Sequence, residues 1–414
     1  MTRSKLWFLS LAAAMGGFLF GYDTAVINGG EQQIQNLWNL SSTLHGWVMS
    51  AALWGTVLGA FAGGTVTDRL GRKPTLFGVG VLYLASAVWS AFVTGPYALM
   101  VARFIGGIGV GVSSIAAPVY ISEISPADVR GRMCALFQFN IVTGMVISQV
   151  VNWALGTAGL GAATWRWMLG AEALPALVFT ALCPFLVESP RWLALRQTPK
   201  TVSDVATEGG GERFFSRANW RPISLAFCVS MFNQLSGIAV VLYFACRIFE
   251  LAGCTHETAL AVTAGLTALQ GVGTLGGMVL IDRIGRRAML ILGGTGYVVS
   301  LFACAVSFLM GWNLLAAVSI FVFVLSHAMG QGTVIWVFIS EVFPQRHRAQ
   351  GQSFGSLTHW VFCASLTFIF PLMVKALPTG LVFSIFGVLM IFHLLWAIFV
   401  VPETKGRALE EIRL

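Results

Sequence analysis

Apolar residues run along this chain in long blocks, separated by short stretches where glycine, proline and charge collect. A block of about 20 apolar residues, coiled as a helix, is long enough to cross a hydrocarbon core of roughly 30 Å. The blocks predict twelve helical spans, at about 7–29, 44–66, 75–95, 97–122, 133–156, 165–187, 221–250, 256–281, 288–309, 313–341, 350–375 and 380–401, numbered span 1 to span 12 below. The opening "MTRSKLWFLSLAAAMGG" has the basic start and apolar run of a secretion signal, but its pattern continues to Asn28 with no polar start of a mature chain, so it reads as the first span.

The pattern repeats. "DRLGRK" at 68–73 returns as "DRIGRR" at 282–287, an offset of 214, and "SEISPADVR" at 122–130 returns as "SEVFPQRHR" at 340–348, an offset of 218. Matched turns at similar offsets imply two parallel six-helix units, at 1–193 and 221–414, joined by a short polar linker at 194–220 that contains "EGGGERFF". Parallel repeats facing one another across a central cleft are a transporter architecture, with the substrate site near the midplane.

Composition agrees: 57% of residues are hydrophobic and 10% charged, against roughly 25% charged in soluble domains. The net charge of +8 does not point to nucleic acid, because 21 of the 25 basic residues fall on one side of the predicted bilayer. Arg103, Arg166, Arg247 and Lys375 are the others. By the positive-inside rule that basic side is the cytoplasm, and both termini lie there, in a plasma or inner membrane. Seven cysteines without a CxxC pair suggest neither a disulfide framework nor a metal site, and no cofactor motif or nucleophile–base set marks an enzyme. "GGIGVG" at 106–111 mimics a nucleotide loop, but it lies inside a span, where its small residues serve close helix packing.

Three charges stand deep inside the apolar blocks, away from their ends. Asp23 is 16 residues into span 1 from the basic side; Arg103 is 6 residues into span 4 and Glu172 7 residues into span 6 from the far side. At about 1.5 Å per residue these depths coincide, so one cluster is expected. Two carboxylates against one guanidinium leave excess negative charge, which a proton on one acid relieves while the other pairs with Arg103. A permanent ion pair locking span 1 to span 4 is the alternative.

The stretches "GFLFGYDTAVINGG", "DRLGRK", "RFIGGIGVG", "VYISEISPADVRGR", "ESPRWL", "QLSGIAVVLYF", "DRIGRR", "SEVFP" and "PETKG" occur in this order over nearly the whole chain. Together they resemble the sugar porters of the major facilitator superfamily. The resemblance implies an all-α membrane protein with the major facilitator fold, alternating access, and a hexose or pentose as cargo, moved by a single chain. The acid at Asp23 is similar to that of the proton symporters, whereas facilitators commonly lack it; proton, sugar and bilayer are therefore the expected partners. An uncoupled facilitator, a carrier of another small polyol-like or organic solute, and a non-transporting sensor remain the alternatives.

A sugar needs paired donors and acceptors for its hydroxyls and aromatic planes for its ring faces, which amides and indoles supply. Candidates inside the spans are Gln138, Asn233, Gln234, Tyr243, Gln270, Trp336, His359 and Trp360. One amide in a span is usually interhelical glue, but several at one repeat interface suggest a site. The resemblance supports Gln138, Gln234, Gln270 and Trp336 most directly. It also shows departures: Ala239, Met145 and His359 stand where amides are usual, and Thr333 where a proline is. Ser236–Gly237 is expected to loosen span 7 beside the site. By the same resemblance, Asp68, Arg69, Arg72, Glu123, Arg130 and Arg132 face Asp282, Arg283, Arg286, Arg287, Glu341 and Arg348, with Glu188 and Glu403 joining, as a gate that closes the basic side. Topology signalling alone explains the basic members of this set but leaves the acids unexplained.

Overall fold

The computed structural model describes residues 3–126, 129–197, 214–344 and 347–405. Among them are twelve helical spans of membrane-crossing length and apolarity: Arg3–Leu37, Ser42–Leu70, Arg72–Phe92, Pro96–Ile124, Met133–Thr157, Gly161–Phe185, Trp220–Tyr243, His256–Ile284, Arg286–Met310, Asn313–Val342, Arg348–Ala376 and Thr379–Phe399. No strand occurs among the described residues. Most spans match the apolar blocks and overrun them by a turn or so. Span 1 overruns furthest, to Leu37, because its polar end is buried against the second half of the chain, as shown below.

Three spans are interrupted, each for a local reason. Span 6 divides at Glu172, between helices Thr164–Ala171 and Ala173–Leu182. Pro175 has no N–H to return to the Ala171 carbonyl, so the ladder breaks at the turn that carries the acid. Span 7 divides at Ser236–Gly237, where Gly237 adopts φ +86°, a left-handed conformation open to glycine; this is the loosening the sequence suggests. A further short helix, Ala245–Leu251, carries the chain on toward span 8. Span 10 divides at Gly330, between Asn313–Met329 and Gln331–Val342, at a point where Gly330 backs onto the Gly293 backbone of span 9.

Spans 2 and 4 pack backbone to backbone: a Cβ on Gly107 would run into the Ala52 carbonyl, so only glycine permits the approach. Large side chains such as Phe61 and Phe399 are 74% and 79% exposed. Such a surface is a liability in water and is what lipid-facing helices present.

The buried apolar residues form three clusters. On the basic side the two halves keep separate cores, one built from residues such as Leu9, Val79, Tyr120 and Phe179, the other from Val229, Leu290, Phe338 and Phe343. On the far side a single core crosses between them, joining Val26, Val48 and Trp165 to Phe244, Leu260 and Phe370. Trp47 of span 2 packs on Phe368 of span 11 at 4.7 Å, and His45 on Phe244 at 6.1 Å. The halves are therefore packed together on the far side and keep separate cores toward the basic side.

Candidate functional site

The three intramembrane charges come together. Arg103 donates to both carboxylate oxygens of Asp23, and its second nitrogen also reaches the Asp23 carbonyl at 2.8 Å. Glu172 lies 4.0 Å from the same guanidinium. All three residues are 1% exposed. The arrangement follows from local structure: span 6 breaks at Glu172, just before Pro175, and Gly106, one turn beyond Arg103, lets span 4 approach Ser86 of span 3, whose Oγ would be 2.5 Å from a Cβ there, with Asp23 Oδ1 in ordinary contact at 3.4 Å. One oxygen of Glu172 has no hydrogen-bond partner among the described residues. Tyr243, from the second half, is within electrostatic reach of both Asp23 and Arg103.

A second cluster lies in the second half. The Gln234 amide nitrogen is 3.0 Å from the Asn233 side-chain oxygen and 3.1 Å from His359 Nε2. The His359 ring meets Trp336 at 5.2 Å and Trp360 at 5.0 Å, and Trp360 meets Phe20 of span 1 at 5.7 Å. Five of the sequence candidates thus form one amide–aromatic patch, with the Gln234 oxygen, unpartnered among the described residues, as an acceptor. Gln138 and Gln270 are half-buried on spans 5 and 8, which pack together across the halves where Gly271 meets Val142. The Gln270 side-chain oxygen is likewise unpartnered. Phe20 sits one turn from Asp23, so span 1 carries both the acid of the charge cluster and a ring that packs on the patch.

On the basic side the repeated motifs build the same structure twice. Arg72 donates to both oxygens of Glu123 at 2.9 Å, to Asp68 at 3.1 Å and to the Thr67 carbonyl at 3.2 Å. Arg286 repeats this with Glu341 at 3.0 and 2.7 Å, Asp282 at 3.2 Å and the Ile281 carbonyl at 3.3 Å. Glu188 receives the backbone N–H of Arg72 at 2.9 Å, and Glu403 those of Arg286 and Arg287 at 3.0 and 3.1 Å. These bonds run within each half, whereas the sequence reading had the two sets facing one another. Arg287 also reaches the Ile398 carbonyl at 2.5 Å, and the Arg283 carbonyl receives Lys405 at 2.5 Å. Arg348 opens span 11 and Arg69 lies in the last turn of span 2. The side chains of Arg130 and Arg132, and most of the linker, lie outside the described residues.

Sequence reasoning missed the far-side mouth. Glu31, 1% exposed, is held by His45 at 2.5 Å and by Arg247 of the second half at 2.9 Å. Arg247 also donates to Gln35 at 2.8 Å, Gln32 donates to Glu250, and the Cys246 backbone N–H donates to Asn28 at 3.1 Å. The available signal was Arg247, one of the few basic residues off the basic side, together with the acid and amides that follow the first apolar block.

Twelve membrane-length helices in two halves that share a core on one side only, with buried charges inside the first half and an amide–aromatic patch in the second, define a secondary transporter. Comparison with known proteins specifies it further. The family described as "Sugar (and other) transporter" matches residues 9–414, and the chain belongs to that family. It is 30% identical to the D-xylose-proton symporter of Escherichia coli (strain K12), over 99% of this chain and 95% of that one. It is 32% identical to the probable metabolite transport protein CsbC of Bacillus subtilis (strain 168), over 99% and 94%. The solved inward-open conformation of the xylose transporter from E. coli superimposes with a TM-score of 0.86 at 30% identity, covering 98% of each chain. The fold is that of the major facilitator superfamily.

Proposed function

We propose that this protein carries a monosaccharide, a pentose or hexose, across the plasma membrane in symport with a proton, by alternating access. The observation that carries the reading is the Asp23–Arg103–Glu172 cluster, in which two buried carboxylates share one cation. Such a cluster is stable with one proton bound and can exchange that proton when the cleft opens to a different side. The D-xylose, arabinose and glucose transporters among its relatives supply the substrate class.

The basic side is the cytoplasm, with both termini there, and the structure corresponds to the inward-facing state. In the outward-facing state the Glu31–Arg247 contact parts and sugar and proton enter. Protonation of Asp23 releases it from Arg103, which then rests against Glu172. Span 1, freed from span 4, shifts Phe20 against Trp360 and so alters the patch where Gln234, His359 and Trp336 hold the sugar. The outer mouth then seals, the inner one opens, and after sugar release Arg103 recaptures Asp23 and expels the proton. The repeated Arg72 and Arg286 networks keep each half rigid as it rocks and supply the charged faces that meet when the inner side closes. Both halves of the cleft belong to one chain, so a monomer suffices, and no covalent step is involved.

The test is uptake of labelled xylose, arabinose and glucose into proteoliposomes with and without an inward proton gradient. Symport requires accumulation above the external level only with the gradient. Equilibration that ignores the gradient supports a facilitator, and no transport of any of the three supports another solute.

A further inference from the structure

The outer mouth carries a group of side chains that sugar and proton transport do not use. Cys246 and Glu250 are four residues apart on the helix Ala245–Leu251, so they share a face. The chain then turns at Gly253, φ +88°, and span 8 begins at His256 behind its Thr255 cap, which brings the imidazole back over that face. Cys246 Sγ is 3.7 Å from Glu250 Oε1 and 3.8 Å from His256 Nδ1, and that nitrogen is 2.5 Å from the same carboxylate oxygen. One sulfur, one nitrogen and one oxygen donor thus lie within 4.8 Å of one another.

We propose that Cys246, Glu250 and His256 form a binding site for a borderline-soft divalent cation, Zn2+ in the first instance, and that the bound ion holds the outer mouth closed. Tetrahedral zinc with bonds of about 2.0–2.3 Å places such donors about 3.4–3.6 Å apart. The two sulfur distances already approach this, and the carboxylate needs to withdraw from the imidazole by about 1 Å. Cys246 binds as thiolate, and its proton passes to water. A mixed sulfur, nitrogen and oxygen set favours zinc over Mg2+ or Ca2+, which take oxygen ligands.

The effect on transport follows from the other oxygen of Glu250. It accepts the Gln32 amide of span 1, while the metal takes the oxygen now facing His256. Arg247, on the same short helix, holds Glu31. A metal that fixes this helix to the start of span 8 therefore fixes both contacts across the mouth. A cavity of about 250 Å³ reaches the Glu250 edge of the site and is lined by Gln32, Gln35, Asn36, Arg247, Glu250 and Leu251.

The experiment uses the purified full-length chain with Co2+ and Zn2+ as probes. Bound Co2+ is expected to show a thiolate-to-cobalt charge-transfer band, which Zn2+ abolishes by displacement and Cys246→Ser removes. Calorimetry is expected to give one Zn2+ per chain, weakened roughly tenfold or more by His256→Gln. In proteoliposomes, external Zn2+ is expected to slow uptake, a chelator to restore it, and Mg2+ to do nothing, each variant being compared with its own zinc-free rate. Absence of the cobalt band in the wild-type chain, or zinc affinity unchanged from wild type in both variants, overturns the site. Binding without any change in uptake overturns its action on the mouth. The spectroscopic and calorimetric readings do not depend on which solute the protein carries.

Discussion

Arg103 of span 4 grips Asp23 of span 1 through both carboxylate oxygens and the Asp23 carbonyl, so one guanidinium fixes both the charge and the backbone of its partner. On the proposed mechanism, protonation of Asp23 releases that grip and loosens span 1 from span 4. Asp23→Asn keeps size and hydrogen bonding but holds the site in a neutral form. The expected outcome is that sugar still binds and exchanges between the two sides in a counterflow assay, while accumulation driven by a proton gradient is lost. Accumulation equal to wild type would transfer the proton-carrying role to Glu172.

The amide–aromatic patch gives an independent prediction. Gln234→Ala removes a donor already aimed at His359 and the unpartnered oxygen that serves as acceptor. Trp336→Ala removes the indole packed against that imidazole. Each is expected to weaken sugar binding roughly tenfold, the loss of one or two hydrogen bonds or of one aromatic contact. Calorimetry on the purified variants reads this directly, and unchanged affinity in both places the sugar elsewhere.

What was legible in the sequence follows from which physical rules are local. Helix rise is constant, so counting residues put Asp23, Arg103 and Glu172 at one depth, and the structure pairs them. The near repeat of "DRLGRK" as "DRIGRR" foretold two equivalent turns, and Gly71 and Gly285 indeed take matching φ values of 99° and 97°. Gln234 and His359 are 125 residues apart; residue type made both candidates, but no local rule brings span 7 to span 11, so their contact is seen only in the fold. Glu31 was invisible because a polar residue just past an apolar block reads as the start of a turn. The helix continues only because Arg247 and His45 bury that acid, a contact made across the fold. The break at Gly330 was missed as well, since a lone glycine in an apolar run leaves no mark on the periodicity.

The outer mouth should open when its buried acid loses its cross-half partner. Arg247→Ala leaves Glu31 with His45 alone and removes the bond to Gln35. Breaking a fully buried pair costs about 3–5 kcal/mol; Arg247 is 24% exposed, so roughly 1–2 kcal/mol is expected, about a tenfold shift toward the outward-facing state. Hydrogen–deuterium exchange is the measurement: backbone amides at 28–37 and 245–256 should exchange faster than in wild type. Equal protection in the two proteins means that the apolar core behind the mouth, not the ion pair, keeps it shut.

On the opposite side, Glu403 binds the first turn of span 9. Its carboxylate accepts the backbone N–H groups of Arg286 and Arg287 at 3.0 and 3.1 Å and that of Lys405 at 3.0 Å. Burial pushes its pKa up, but the hydrogen bonds from the backbone of Lys405, Arg286, Arg287 and Thr404 outweigh burial and bring it below the ordinary carboxylate value. A carboxyl whose pKa is lowered by folding contributes its stabilisation above that ordinary value and loses it as the pH falls through the folded value. Glu403→Gln removes the charge at a helix start and is expected to cost about 1 kcal/mol near neutral pH. Thermal unfolding midpoints of the two proteins in detergent, measured across a pH series, should differ at pH 7 and converge as the pH is taken below 4.5. A gap that stays constant down the series would mean that the shape of the side chain, and not its charge, holds the turn.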